Sequence, residues 1–112
     1  MPRWKLLHNP RCSKSREALA LLQDRNPEVV EYLVDPLRES ELLALMEILV
    51  GDVAELVRTK EESFRAKPFA LDDRRVIAAE LAKRPELLER PIIIKGNRAV
   101  VARPIERIEL LK

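Results

Sequence analysis

Between residues 4 and 34 the apolar pattern changes period twice, and this constrains the fold more than any other feature of the chain. Trp4-Lys5-Leu6-Leu7-His8 reads as a short strand that breaks at Asn9-Pro10. From Ser13 the spacing is helical, with Ala18, Leu19 and Leu22 on one face, and it ends before Asn26-Pro27. Val29-Val30-Glu31-Tyr32-Leu33-Val34 then has the β-branched and aromatic content of a second strand. Strand, tight turn, helix and strand form a βαβ unit, which favours a parallel pair and an α/β protein.

The middle of the chain is helical. Ser40 is placed to cap a helix whose Leu42, Leu45, Met46 and Leu49 fall at i, i+3, i+4 and i+7, and Gly51 supplies a left-handed stop. A shorter piece, Val53 to Val57, leads into the charged Arg58-Thr59-Lys60-Glu61-Glu62. Asp72 or Asp73 opens another helix carrying Val76, Ile77 and Leu81, and Pro85 marks its end. The last quarter returns to strands, Ile92-Ile93-Ile94 and Ala99-Val100-Val101-Ala102, joined by the hairpin signal Gly96-Asn97. Pro104 opens a terminal helix through Ile105, Ile108 and Leu111. No repeat, low-complexity segment or linker divides the chain, so one domain is expected over residues 1–112. The order β-α-β, helices, β-β-α matches a thioredoxin-like fold. It has a small mixed four-stranded sheet and a helical insertion at about residues 38–88. Periodicity alone gives only α/β; the choice within that class rests on the motifs below.

Composition narrows the function. Hydrophobic residues are 46% and charged residues 36%, a balance that suits a globular protein rather than a disordered one. No apolar run approaches the roughly 20 residues of a spanning helix. The opening Met-Pro-Arg-Trp-Lys-Leu-Leu-His has too short an apolar stretch for a signal peptide, so the cytoplasm is the expected compartment and no membrane partner is expected. The net charge of +2, from 21 basic and 19 acidic side chains, implies no partner by itself. Aromatics are scarce (Trp4, Tyr32, Phe64, Phe69) and charges are intermixed, which argues against nucleic acid. A monomer is expected. With one cysteine and one histidine, neither an intramolecular disulfide nor a structural zinc site is expected. Any redox cycle through Cys12 must borrow its second thiol from another molecule.

The sharpest chemical feature is His8-Asn9-Pro10-Arg11-Cys12-Ser13-Lys14-Ser15-Arg16. It sets a lone thiol between a strand and the start of a helix. Unpaired N–H groups and the positive dipole end there favour an anion, thiolate included, and Arg11, Lys14 and Arg16 add positive charge. A lone cysteine is more often an inert small hydrophobe, but most of the flanking residues here are polar or charged. His8 suits either tuning of the thiol or a hydrogen-bonded strand end. Arg-Pro occurs at Arg90-Pro91 and Arg103-Pro104, bracketing the hairpin. Proline pushes the residue before it toward extended backbone, so the two arginines can converge at one end of the sheet and bind a tetrahedral oxyanion. Taken alone, each fits a solvated surface position better, since 21 of 112 residues are basic, and Arg58 fits a partner for a helix C-terminus.

These residues resemble a known family. The stretch from His8 to Arg16 is similar to the His-Asn-Pro-x-Cys-x-x-Ser-Arg signature of the glutaredoxin-coupled arsenate reductases. Leu56-Val57-Arg58-Thr59-Lys60 resembles that family's central arginine motif, Arg90-Pro91-Ile92 its second and Ala102-Arg103-Pro104 its third, in the same order along the chain. The resemblance implies a thioredoxin-like fold with Cys12 as nucleophile, His8 and Ser15 helping to set its ionisation, and Arg58, Arg90 and Arg103 holding the oxyanion. It also implies a cis-proline at Pro91. Arsenate would be the substrate, glutathione the co-substrate and glutaredoxin the resolving partner, with no bound cofactor or metal. Well-known members carry Gly-Thr after the cysteine where this chain has Ser13-Lys14, and the chain is shorter than they are. Two other functions fit the same fold: a glutathione-linked thiol-redox protein with another substrate, and a regulator that binds RNA polymerase. Some such regulators use a Cys-x-x-Cys switch, which Ser15 rules out here.

Overall fold

The computed structural model describes residues 3–111. Four strands form one mixed sheet in the order β2-β1-β3-β4, where β1 is Trp4–His8, β2 Glu28–Glu31, β3 Ile92–Lys95 and β4 Arg98–Val101. β1 pairs parallel with β2, Leu6 opposite Val29, and antiparallel with β3, Leu6 opposite Ile93; β3 and β4 are antiparallel. The parallel pair follows from the crossover helix α1, Ser13–Leu22. This is the thioredoxin-like α/β arrangement expected from the sequence.

The central strands are covered on both faces, which is why they read as apolar runs rather than as clean alternation. On one face Trp4, Leu6, Ile93 and Val100 pack against Ala18 and Leu22 of α1 and against Ile108 and Leu111. On the other, Leu7, Ile92, Ala99 and Val101 meet Leu42, Leu45 and Met46 of α2 (Glu39–Ile48) and Ile77, Ala78 and Leu81 of α4 (Arg74–Lys83). A short helix, α3, spans Glu62–Ala66. Among the described residues no helix is long and apolar enough to cross a membrane.

Several element boundaries differ from the sequence reading. β2 stops at Glu31, because the N–H groups of Val34 and Asp35 both bond the Glu31 carbonyl and turn the chain. Tyr32, expected in the strand, is buried in the core instead. α2 begins after Arg38 rather than Ser40, and the Glu41 carboxylate reaches back to the Arg38 N–H at 2.8 Å. It also ends before Leu49 and well before Gly51. Leu49 bridges Ala99 in β4 and the Val50 N–H bonds the Ala99 carbonyl at 2.7 Å, so a sheet contact stops the helix and Gly51, at φ +126°, follows it. α3 starts at Glu62, the last residue of the charged segment, and runs on where no element was expected. The hairpin is the expected two-residue one; only Gly96 takes positive φ, as the first position of a II′ turn requires. The terminal helix is a 3₁₀ helix, Ile105–Leu111. Its apolar residues 105, 108 and 111 are spaced by three, which keeps them on one face only at three residues per turn.

Candidate active site

The loop before α1 is built by its own sequence. Asn9 and Pro10 occupy the first two positions of a β-turn that the Cys12 N–H closes onto the Asn9 carbonyl at 3.0 Å. The Asn9 side-chain oxygen accepts the Arg11 N–H, also at 3.0 Å. Cys12 thereby becomes the N-cap residue of α1, in extended conformation, and its carbonyl accepts the Arg16 N–H. The cysteine is 9% exposed. Its side chain makes no cap hydrogen bond, but the Ser15 and Lys14 amides and the Arg90 guanidinium all face the sulfur. Burial pushes the thiol up; the Ser15 amide, Arg90 and the Lys14 amide together outweigh it and hold the thiol below its ordinary value.

The charge that reaches the sulfur is therefore Arg90, from the far end of the sequence. Arg11 and Lys14, credited from sequence, have exposed side chains. Arg16 instead donates to the Pro10 carbonyl at 3.0 Å.

His8 and Ser15 form a unit beside the cysteine. His8 Nδ1 and Ser15 Oγ lie 2.7 Å apart, and Ser15 Oγ also accepts the Asn9 N–H at 2.9 Å. Both residues are buried, and they tie the end of β1 to the first turn of α1. Burial holds His8 below the usual imidazole value; Glu31, its register partner in β2, pulls upward and Arg16 downward. His8 is thus a hydrogen-bonded strand end, and Ser15 presents to the thiol its backbone amide rather than its hydroxyl.

Backbone pairing brings the three arginines together. Val57 bridges Leu88, with the Arg58 N–H on the Leu87 carbonyl at 2.8 Å and the Glu89 N–H on the Leu56 carbonyl at 2.7 Å. The Ala102 N–H bonds the Pro91 carbonyl at 2.9 Å, which sets the Arg103 loop beside Arg90. The Arg90–Pro91 and Arg103–Pro104 peptide bonds are both cis. Arg58, Arg90 and Arg103 line one cavity of roughly 430 Å³ with Lys60, Glu61 and Glu89. Arg58 Nη1 donates to the Glu86 carbonyl at 3.1 Å, and Nη2 pairs with Glu61 at 3.0 Å. Cys12 does not line the cavity; Arg90 connects the two.

Three participants escaped the sequence reading. Glu89 and Glu61 pair with the arginines, and a carboxylate directly before Arg90-Pro91 was a signal available in the sequence. Tyr32 is the third. Burial raises its phenol, while Arg90, Arg58 and the Asn9 side chain pull it down, so its hydroxyl end belongs to the cysteine's surroundings. A larger groove of about 750 Å³, between the sheet and α2, is lined by Lys5, Leu7, Val30, Leu37 and Arg38 among others and contains no thiol or imidazole.

The ArsC family model matches residues 7–111, from the end of β1 to the terminal helix. The chain belongs to the ArsC family. It is 41% identical over 116 aligned positions to a Neisseria meningitidis serogroup A protein named arsenate reductase, with 97% of each chain covered. It is 40% identical to the uncharacterized YfgD protein of Escherichia coli K12, covering 93% of this chain and 92% of that one. Among solved structures, the arsenate reductase from Vibrio cholerae superposes with a TM-score of 0.85 at 34% identity, over 99% of this chain and 98% of that one. ArsC membership and these superpositions agree with the four-stranded mixed sheet described above.

Proposed function

We propose that this ArsC-family chain is an oxidoreductase that reduces arsenate to arsenite, with Cys12 as nucleophile and glutathione and glutaredoxin as electron donors in the cytoplasm. One observation carries the reading. A thiol held toward its thiolate adjoins, through Arg90, a cavity on which Arg58, Arg90 and Arg103 converge. The names of the relatives support the substrate, since the Neisseria meningitidis and Vibrio cholerae proteins are both arsenate reductases.

In this mechanism the Cys12 thiolate attacks arsenic(V), an S–As bond forms, and one arsenate oxygen leaves as water after protonation. Arg58, Arg90 and Arg103 hold the remaining oxygens, where charge accumulates in the transition state. The glutathione thiol then displaces a second oxygen. Arsenic(V) takes up two electrons, one from each sulfur, and departs as arsenite, leaving Cys12 in a mixed disulfide with glutathione. A glutaredoxin thiolate attacks the glutathione sulfur and releases the Cys12 thiolate. A chain with one cysteine needs these external thiols. His8 and Ser15 act by fixing the first turn of α1, so that the Ser15 amide stays aimed at the sulfur.

The test is arsenite production from arsenate with glutathione and glutaredoxin, comparing wild type with Cys12→Ser. Turnover in wild type and none in the variant is the expected result. A folded wild type that produces no arsenite, yet exchanges Cys12 with glutathione disulfide, would replace this reading with a general thiol-redox one.

A further inference from the structure

Glu89 lines the arginine cavity and pairs with two of its three arginines. One of its oxygens, Oε1, accepts the Arg90 backbone N–H at 3.1 Å and Arg103 Nη1 at 3.1 Å, and lies 3.7 Å from Arg90 Nη1. A single carboxylate oxygen thus gathers both guanidinium groups. Arg103 Nη1 also approaches the Arg90 carbonyl at 3.4 Å, so the two arginines are held side by side despite their like charge. They differ in freedom. The Arg90 side chain is 15% exposed, its Nε is buried with no hydrogen-bond partner, and its guanidinium faces Cys12. The Arg103 side chain is 39% exposed and bonds Glu89 and the Arg90 carbonyl.

We propose that Glu89 is a positioning residue and internal counter-anion: its carboxylate holds Arg90 and Arg103 together in the free protein, and an incoming tetrahedral oxyanion takes Arg103 from it. The inference rests on the reading of this cavity as an oxyanion site. An oxyanion and Glu89 carry charge of the same sign and compete for the same guanidinium, so the carboxylate weakens anion binding while it keeps the arginines in place. Arg90 stays because its backbone N–H bond to Glu89 and the burial of its side chain hold it in place whether or not the anion is present. Arg103, the more exposed, is the group that changes partner. Glu89 thereby makes oxyanion affinity depend on one carboxylate that is not itself a ligand.

Glu89→Gln removes the charge and keeps an oxygen able to accept both N–H groups. The measurement is the rate of Cys12 alkylation by iodoacetamide against pH, with inorganic phosphate added as the anion probe. In Glu89→Gln the phosphate concentration giving half protection should fall roughly three- to ten-fold, and the alkylation midpoint should move to lower pH. The phosphate shift should shrink in an Arg103→Gln background, where no Arg103 is left to compete for. Unchanged or weaker phosphate protection in a folded Glu89→Gln protein overturns the proposal and leaves Glu89 a structural cap. If Glu89→Gln does not fold, Glu89→Asp serves: it keeps the charge but draws the carboxylate back from Arg103. Its half-protection concentration should fall roughly two-fold with the midpoint unmoved, and no fall overturns the proposal. Arsenite production is a separate readout. Its absence from wild type with phosphate protection intact removes the reductase reading and leaves Glu89 in its role. A wild type that phosphate does not protect at all removes both.

Discussion

Helices α1 and α4 are each ten residues long, and each starts from a residue with extended backbone, Cys12 at φ −95°, ψ 123° and Asp73 at φ −124°, ψ 110°. At α4 the Asp73 carboxylate accepts the Arg75 and Val76 N–H groups at 3.0 and 3.3 Å and satisfies the helix end. At α1 the corresponding amides face a sulfur, a weak acceptor when protonated and a strong one when ionised. The backbone device is the same. A permanent carboxylate turns it into stability, whereas an ionisable thiol turns it into a lowered pKa. α1 has no acidic residue in its first turn to compete for that role, and Arg90 adds a full positive charge that the sequence around Cys12 does not reveal.

Exchanging the two caps gives the largest expected effect. Cys12→Asp places an α4-type cap on α1. Arsenite production should fall to background, while thermal unfolding shows stability maintained or raised by about 0.5–1 kcal/mol. Residual turnover would mean that the thiol is not the nucleophile.

The reciprocal experiment is smaller. Asp73→Ala strips the cap from α4 and should lower stability by about 1 kcal/mol, a fall in Tm of roughly 4 °C for a chain of this size. The alkylation rate of Cys12 should stay as in wild type. A change in that rate would show that the two helix starts are coupled through the sheet.

Smallest is the pH linkage of Cys12 itself. Its folded-state pKa lies below the unfolded one, so the thiolate's contribution to stability is full above the unfolded value of about 8.5 and is lost as pH falls through the folded value. Relative to Cys12→Ser, wild type should therefore gain stability as pH rises from the folded value toward the unfolded value of about 8.5, measured by urea unfolding at each pH. A constant difference, or one that shrinks with rising pH, would show that the burial penalty wins at this site.

Local pattern made much of the fold legible. The βαβ unit, the Asp73 cap, the Gly96-Asn97 hairpin and the apolar faces of α1 and α4 all depend on residues close together in the chain. Some readings that failed turned on local bonds, such as the Glu41 carboxylate on the Arg38 N–H; others were decided by distant partners. Leu49 fits the helical spacing of α2, but Ala99 draws it into a sheet bridge. Tyr32 has strand propensity, but the core and the groups around Cys12 claim it. α3 has too little apolar spacing to announce itself; Phe64 packs against the main core and stacks edge-on with Phe69 at 5.1 Å. The threefold spacing of Ile105, Ile108 and Leu111 was visible, yet helical period alone was read from it.

The candidate site divides the same way. Sequence by itself determined that Cys12 stands at the start of a helix, because Asn9-Pro10 makes the turn and the helical period begins at Ser13; these are interactions over a few residues. It also determined that any redox cycle needs an external thiol, since one cysteine cannot pair within the chain. Tertiary structure alone decided which charge reaches the sulfur and which anion already sits in the arginine cavity. Coulomb and hydrogen-bond interactions act through distance in space. The pairings of Val57 with Leu88 and of Pro91 with Ala102 create the proximity of Arg58, Glu89, Arg90 and Arg103, and no local pattern encodes it.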